Sequence, residues 1–384
     1  MLRAARTRTG LTDFGDDRFL EPLGVLVDSL ETEANLSAFG RLLTQRLLVQ
    51  LLSTRLLVED ALARRPEIVE IPVEAPIVIV GLPRSGTTHL HNLIAEDRSL
   101  RSLPYWESLE PMLLPAEREK VAAGAADPRI ERCARAVRFL DHAMPLLSAM
   151  HEMTPDHVHE EIQLLAADFS TMLFESSYLV PSYREWYKRT DQTAAYGYLR
   201  LMLQVLQAEH GRPKRWLLKS PQHLEQIPAL MATFPDARVV RTHRDPVRVT
   251  ASIMTLVAYG LRMNHGAIDP LEIGRVWSAR AEDLLRGVVQ DADRVPSGQA
   301  FDVKFPELMR DNMAMVDRIY AFAGGGETGV PAAAARAAMQ TYLDTHPPGR
   351  HGSIEYRLED FGVDPLERRQ ALRFYQERFQ IDDE

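Results

Sequence analysis

IVIVGLPRSGTTHLHNLI, residues 77–94, decides how the rest of the chain is read. Ile77 to Val80 is a short β-branched run between Pro76 and Gly81. That is the pattern of a strand buried on both faces of a parallel sheet. A tight turn, Leu82 to Gly86, follows. A helix is expected from about Thr87, with Leu90, Leu93 and Ile94 on its apolar side. Such a strand–turn–helix aims backbone N–H groups at one spot, and the helix N-terminus adds partial positive charge there. The product is an anion site that suits a phosphate.

Gly81, Gly86 and Thr88 stand where a Walker loop, G-x-x-x-x-G-K-[ST], has its glycines and hydroxyl residue. Thr87 stands in the lysine's place. That lysine reaches the β- and γ-phosphates beside magnesium, so its loss argues against a nucleoside triphosphate. The cation here is Arg84, inside the turn. The expected ligand is an anionic nucleotide with a shorter, differently handled tail.

Three later runs look like further core strands: Trp216-Leu217-Leu218, Ala237 to Val240 and Ala300 to Val303. Helical patterns separate them, which predicts an α/β fold with a P-loop-like, three-layer core on a parallel sheet. Residues 1–74 read as a helical N-terminal segment and 75–323 as the core. Within it, about 105–213 is a large helical insertion without a convincing strand. Residues 324–384 form a C-terminal segment expected to close over the site. GGGETGVPAAA (324–334) reads as a loop entering a helix, and the last fifty residues as charged and irregular.

A second anion site is expected at RVVRTHRDPVRVTASIM, residues 238–254. A strand should end near Arg241. Asp245 can cap a helix with Pro246 at its first position. Arg244 lies just before the cap, and Ser252 lies eight residues on, inside the helix. Arg supplies a forked, permanently charged donor and Ser a short hydroxyl donor. The plainer alternative pairs Arg244 with Asp245 or another acid.

PRSGTT after a strand resembles the 5′-phosphosulfate loop of sulfotransferases that use 3′-phosphoadenosine 5′-phosphosulfate (PAPS). Arg244 and Ser252 match the spacing of that family's 3′-phosphate motif. GLTDFGDDRF near the N-terminus, VKFPEL at 303–308 and YRLEDFG near the C-terminus are similar to bacterial members. The resemblance implies PAPS as co-substrate, held by Arg84, Ser85, Gly86, Thr87, Thr88, Arg244 and Ser252. Two departures stand out. The family's late Arg-Lys-Gly loop finds only Gly349-Arg350-His351-Gly352 here, a loose match. The tryptophan that commonly follows the two threonines is His89.

Sulfuryl transfer is an in-line displacement that needs a proton acceptor and cations for the developing charge. Arg84 is the first cation. Lys219, in LLKSP at the carboxyl end of the second strand, is the next, since α/β ligands bind at strand ends. Protein-tyrosine sulfotransferases resemble this part, with a lysine acting on the leaving group. Their base, and that of some bacterial relatives, is a glutamate placed similarly to Glu107 in LPYWESLEP. Tyr105 and Trp106 beside it can partly desolvate it. HEMTPDHVHEEIQ (151–163) competes: cytosolic members use a histidine base, so His159 or Glu160 is the rival. The stretch also holds His151, His157 and Glu161, and reads as a partly exposed helix start. A metal is not implied, because His157 and His159, two apart on a helix, diverge and no cysteine joins them.

The totals bound these readings. The 384 residues, 45% apolar and 26% charged, are ordinary globular material, and the net charge of −9 without a Lys/Arg block excludes nucleic acid as a main partner. A single cysteine, Cys133, rules out an intrachain disulfide and suits a reducing compartment, so the expected location is cytoplasmic. MLRAARTRTGLTDFGDDRF lacks the apolar core of a secretory signal. The most apolar stretch, 41–63, is interrupted by Arg41, Arg46 and Arg55 and reads as an amphipathic helix packing internally or against a second copy. The expected protein is a bacterial PAPS-dependent sulfotransferase acting on a small-molecule, lipid or glycan hydroxyl. Its rivals are a P-loop nucleotide phosphotransferase (kinase) and a nucleotide-binding module without chemistry.

Overall fold

Among the described residues, β1 (Ile77–Val80), β2 (Leu217–Lys219), β3 (Arg238–His243) and β4 (Ala300–Lys304) form a parallel sheet in the order β2-β1-β3-β4. The computed structural model describes residues 1–211, 214–324, 329–347 and 354–384. The fold is α/β, as the alternating runs predict.

Val78, Ile79, Val80, Val239, Val240 and Val303 are fully buried. Each such side chain contributes roughly 1.5–3 kcal/mol by leaving water. Ile77 pairs with Leu217 on one side and Arg238 on the other, so β1 is central. The connection from β1 runs to β2 on one side, and that from β3 runs to β4 on the other. The strand order therefore reverses between β1 and β3, and open α/β sheets bind ligands in the crevice at the carboxyl ends of such a pair.

The chain gathers into two compact units. One comprises Glu74–Ser102, Lys214–Ala258 and Ile268–Glu384, and contains the sheet. Its main helices are α1 (Thr87–Ala95), most of α2 (Pro246–Leu261), α3 (Pro270–Asp291) and α4 (Pro365–Phe379). α2 and α3 begin as their sequences dictate: Asp245 and Asp269 accept from the backbone N–H groups of Val247 and Leu271, with Pro at the first helical position. Gly274 in α3 lies so close to the Phe361 carbonyl that a Cβ would fall 2.0 Å from its oxygen.

The other unit comprises Met1–Val73, Leu103–Pro213 and Tyr259–Ala267 and is predominantly helical. Its longest helix, Ala38–Arg64, is capped by Ser37, whose Oγ accepts from Gly40 N. Arg55 in that helix points inward. It lies 4.3 Å from the Phe19 ring centroid and 4.4 Å from that of Tyr198, and pairs with Asp168 at 3.0 Å.

The structure corrects several expectations. β2 begins at Leu217, because Trp216 makes an isolated bridge to Arg101. β3 runs past Arg241 to His243, because Thr242 and His243 pair with Val303 and Lys304 of β4. The insertion holds half of a two-residue antiparallel ladder, Val158–His159 against Leu103–Pro104, so the histidine-rich stretch is not a helix start; the next helix begins at Ile162. The last fifty residues include Ala333–Thr345 in part and the whole of α4. α4 is stabilised by its Asp364 cap and by buried Leu372, Tyr375 and Phe379 along one side. Of 324–334, residues 325–328 lie outside the described residues.

Candidate functional site

The turn between β1 and α1 is held in shape by its own side chains. Ser85, buried, donates from Oγ to the Leu82 carbonyl at 2.7 Å and shares a 2.7 Å hydrogen bond with Thr242 Oγ1 on β3. A Cβ at Gly81 would fall 2.1 Å from Thr242 Oγ1, so only glycine fits there. Gly86 caps α1 with φ of +92°, a conformation that costs other residues but not glycine. Arg84 also has positive φ, +74°. For a side-chain-bearing residue this strain costs about 1–3 kcal/mol and concentrates at functional sites.

The turn delivers Arg84, Ser85, Gly86, Thr87 and Thr88 to the start of α1, where unbonded N–H groups and the helix dipole favour an anion. Lys219 reaches the same helix start from the end of β2. It is buried, and its Nζ donates to Thr88 Oγ1 at 3.3 Å. Arg84 lies 5.9 Å from the Tyr356 ring centroid.

The second element follows β3. Arg244 Nη1 donates to the Arg84 carbonyl at 3.2 Å, which ties the two anchors together. Its guanidinium stacks over Phe305, 4.0 Å from the ring centroid, and pairs with the Glu384 carboxylate through Nε at 3.0 Å and Nη2 at 2.9 Å. Sequence reasoning allowed Arg244 to pair with Asp245 or another acid; the acid is Glu384, and Asp245 goes to Arg369 instead. Ser252 is buried about two turns into α2, and its Oγ has no hydrogen-bond partner among the described residues. A buried hydroxyl without a partner is costly, and a phosphate oxygen would satisfy it. Arg244 already holds one anion, a carboxylate. The residues present therefore fit a nucleotide with anionic groups at both ends, as PAPS has.

Glu107 and the rival base cluster belong to the helical unit. Glu107 is fully buried on a short helix, Tyr105–Leu109. His159 packs its ring 4.7 Å from that of Tyr105 and approaches Gln163 Nε2 at 3.5 Å; the His151, His157 and His159 rings lie 5.8–6.5 Å apart. Glu160 is half-buried. Among the described residues, no group of three or more His, Cys, Asp or Glu is arranged to hold a metal. His89 is engaged elsewhere: its Nε2 meets Asn312 Oδ1 at 2.6 Å, and burial holds its pKa low despite that bond. Arg350 lies outside the described residues.

Sequence reasoning missed Thr242, Phe305, Arg369 and Glu384. Phe305 had a faint signal in VKFPEL. Arg369 and Glu384 had none, since their partners are more than a hundred residues away.

Residues 76–326, well over half the chain, match the sequence model of the sulfotransferase family. The chain belongs to the sulfotransferase family. Among solved structures, the sulfotransferase STF9 of Mycobacterium avium is 29% identical with a TM-score of 0.86, over 99% of this chain and 96% of that one. The sulfotransferase STF1 of Mycobacterium tuberculosis H37Rv is 30% identical with a TM-score of 0.81, over 96% of each chain. A curated relative, the omega-hydroxy-beta-dihydromenaquinone-9 sulfotransferase Stf3 of Mycobacterium bovis, is 26% identical over 66% of this chain. The match spans 64% of that relative's length. Among the described residues of this sulfotransferase-family protein, no helix is long and apolar enough to cross a membrane.

Proposed function

We propose that this protein transfers a sulfuryl group from PAPS to a hydroxyl acceptor by in-line displacement. The observation that carries the reading is the pairing of two anion-binding elements across the β1–β3 reversal. One is the Arg84 turn with Lys219; the other is Arg244 followed by the unsatisfied Ser252 hydroxyl. PAPS, when bound, supplies the sulfuryl group. Ser85 to Thr88 hold the 5′ end through backbone and hydroxyl donors. Arg84 faces charge on the sulfonate oxygens, and Lys219 faces charge growing on the bridging oxygen. Arg244 and Ser252 hold the 3′-phosphate. Glu107 takes the acceptor proton, a role resting on its place in LPYWESLEP. No metal is assigned a role, and a cytoplasmic location is part of the same reading.

The substrate for which the mycobacterial relatives are named supports a hydroxylated lipid as acceptor, with omega-hydroxy-beta-dihydromenaquinone-9 first to be tried. The test is thermal stabilisation by adenosine 3′,5′-bisphosphate against ADP with magnesium, followed by acceptor screening with labelled PAPS. Stabilisation by the bisphosphate and label transfer are expected. Strong stabilisation by ADP alone would replace this reading with a phosphotransferase, and bisphosphate binding without transfer to any acceptor would replace it with an inactive binding module.

A further inference from the structure

Asp245 follows Arg244 directly and is fully buried. A buried carboxylate one residue from an anion-binding guanidinium is a rival for it, because an unpaired charge in the interior is costly. In the structure the Asp245 carboxylate has other partners. Arg369 of α4 donates from Nη1 to Asp245 Oδ1 at 2.6 Å and from Nη2 to Oδ2 at 2.9 Å, a forked pair. The Val247 N–H also reaches Oδ1 at 2.9 Å, and the Glu384 N–H reaches Oδ2 at 2.9 Å. Asp383 in turn accepts from Arg369 Nη1 at 2.9 Å. Arg244 is left to face the Glu384 side chain.

We propose that Arg369 is a positioning residue for the second anchor: by neutralising Asp245 it keeps Arg244 available to the 3′-phosphate of the nucleotide. This rests on the PAPS reading above. With Arg369 in place, its guanidinium holds Asp245 by the fork while also serving Asp383, and the charge of Arg244 is balanced by an exchangeable carboxylate. Without Arg369, Asp245 and Arg244 neutralise each other, and an incoming phosphate meets a carboxylate beside a spent cation. The fork matters as well as the charge. A lysine cannot saturate both Asp245 oxygens in the plane as a guanidinium does. Arg369 acts through Asp245 and needs no contact with the nucleotide.

A merely structural role for Arg369 would weaken every ligand alike, so the test reads a ratio. The full chain and its Arg369→Gln, Arg369→Lys and Asp245→Asn/Arg369→Gln variants are titrated calorimetrically with adenosine 3′,5′-bisphosphate and adenosine 5′-monophosphate. The wild type is expected to prefer the bisphosphate. Arg369→Gln should lose that preference by about ten- to a hundredfold while 5′-monophosphate binding holds. Arg369→Lys should keep part of the preference. The double variant should regain most of it, because asparagine still caps α2 without competing for Arg244. Should Arg369→Gln fail to fold, the lysine and double variants decide. A folded double variant without the preference, or a lysine variant with all of it, overturns the inference. A wild type with no preference overturns the donor reading and this inference with it. A preference that survives Arg369→Gln overturns this inference alone.

Discussion

The Glu384 carboxylate is paired with the Arg244 guanidinium, Oε2 lying 3.0 Å from Nε and 2.9 Å from Nη2. The pair holds an internal carboxylate where the proposed donor's 3′-phosphate is to bind. About a quarter of each side chain is exposed, 23% and 24%, so the carboxylate is open to exchange for a ligand's anionic group. Glu384→Gln should therefore tighten adenosine 3′,5′-bisphosphate by about three- to tenfold, since the ligand no longer displaces a competing charge. Calorimetric titration checks this. An unchanged dissociation constant would mean that the carboxylate does not compete.

In the proposed reading, Arg244 carries the discrimination between donor and ordinary nucleotides. It contributes a charged fork, stacked on Phe305 and anchored to the Arg84 carbonyl. Arg244→Ala should weaken the bisphosphate by about 2–4 kcal/mol, the scale of a lost charge-assisted contact. ADP should be affected far less. If the bisphosphate-to-ADP ratio survives the substitution, Arg244 is not the 3′-phosphate anchor.

What could be read in the sequence was local. The β1–turn–α1 cradle announces itself because Gly81, Arg84 and Gly86 act on their immediate neighbours. The Asp245–Pro246 helix start is equally short-range. What escaped depends on distant partners. β3 reads as ending near Arg241 because Thr242 and His243 are polar, yet β4 extends the ladder across them. The 151–163 stretch has helix-like spacing, but the Pro155 and His157 carbonyls are taken by the Trp106 and Tyr105 N–H groups. α4 looks like a charged tail because only three of its buried side chains, Leu372, Tyr375 and Phe379, are apolar, set among arginines and glutamates. Its Arg369 reaches Asp245 across 124 positions, and no periodicity records that contact.

The roles proposed for Lys219 and Glu107 belong to chemistry and not to nucleotide binding, so substitutions there test the two separately. Lys219 is buried, with its Nζ beside Thr88 Oγ1. Lys219→Met keeps most of the volume and removes the charge. It should lower kcat by about 10²–10³, the scale of one removed charge-stabilising donor, with a smaller effect on bisphosphate affinity. Glu107→Gln keeps shape and removes the proposed proton acceptor, so kcat should fall by about 10²–10⁴ with bisphosphate binding intact. Wild-type turnover in Glu107→Gln would pass the base role to His159 or Glu160.

His243 and Asp302 make acid the weak side of this fold. His243 Nε2 meets Asp302 Oδ1 at 2.8 Å, and its Nδ1 meets the Tyr375 hydroxyl at 2.7 Å, so a neutral ring satisfies both. Burial holds the ring below its ordinary 6.5, outweighing the raising effect of Asp302. Burial pushes the Asp302 carboxyl up, but hydrogen bonds and charge from His243 and Arg241 outweigh it and leave it at about 2 instead of 3.8. Both groups bind fewer protons folded than unfolded between those values, so stability rises with pH there. It is complete above 6.5, begins to fall below that as unfolding lets His243 protonate, and falls further from 3.8 toward 2 through Asp302. His89 and His265, also held low by burial, act in the same direction as His243. Asp302 is 44% exposed, so solvent screens its share and the first step dominates near neutrality. Melting temperature should be flat above about pH 7 and drop between about pH 6.5 and 5. His243→Gln, which removes one buried titrating ring, should shrink that drop without abolishing it. A wild-type melting temperature that holds level down to pH 5 would show that these imidazoles are free to charge in the folded protein.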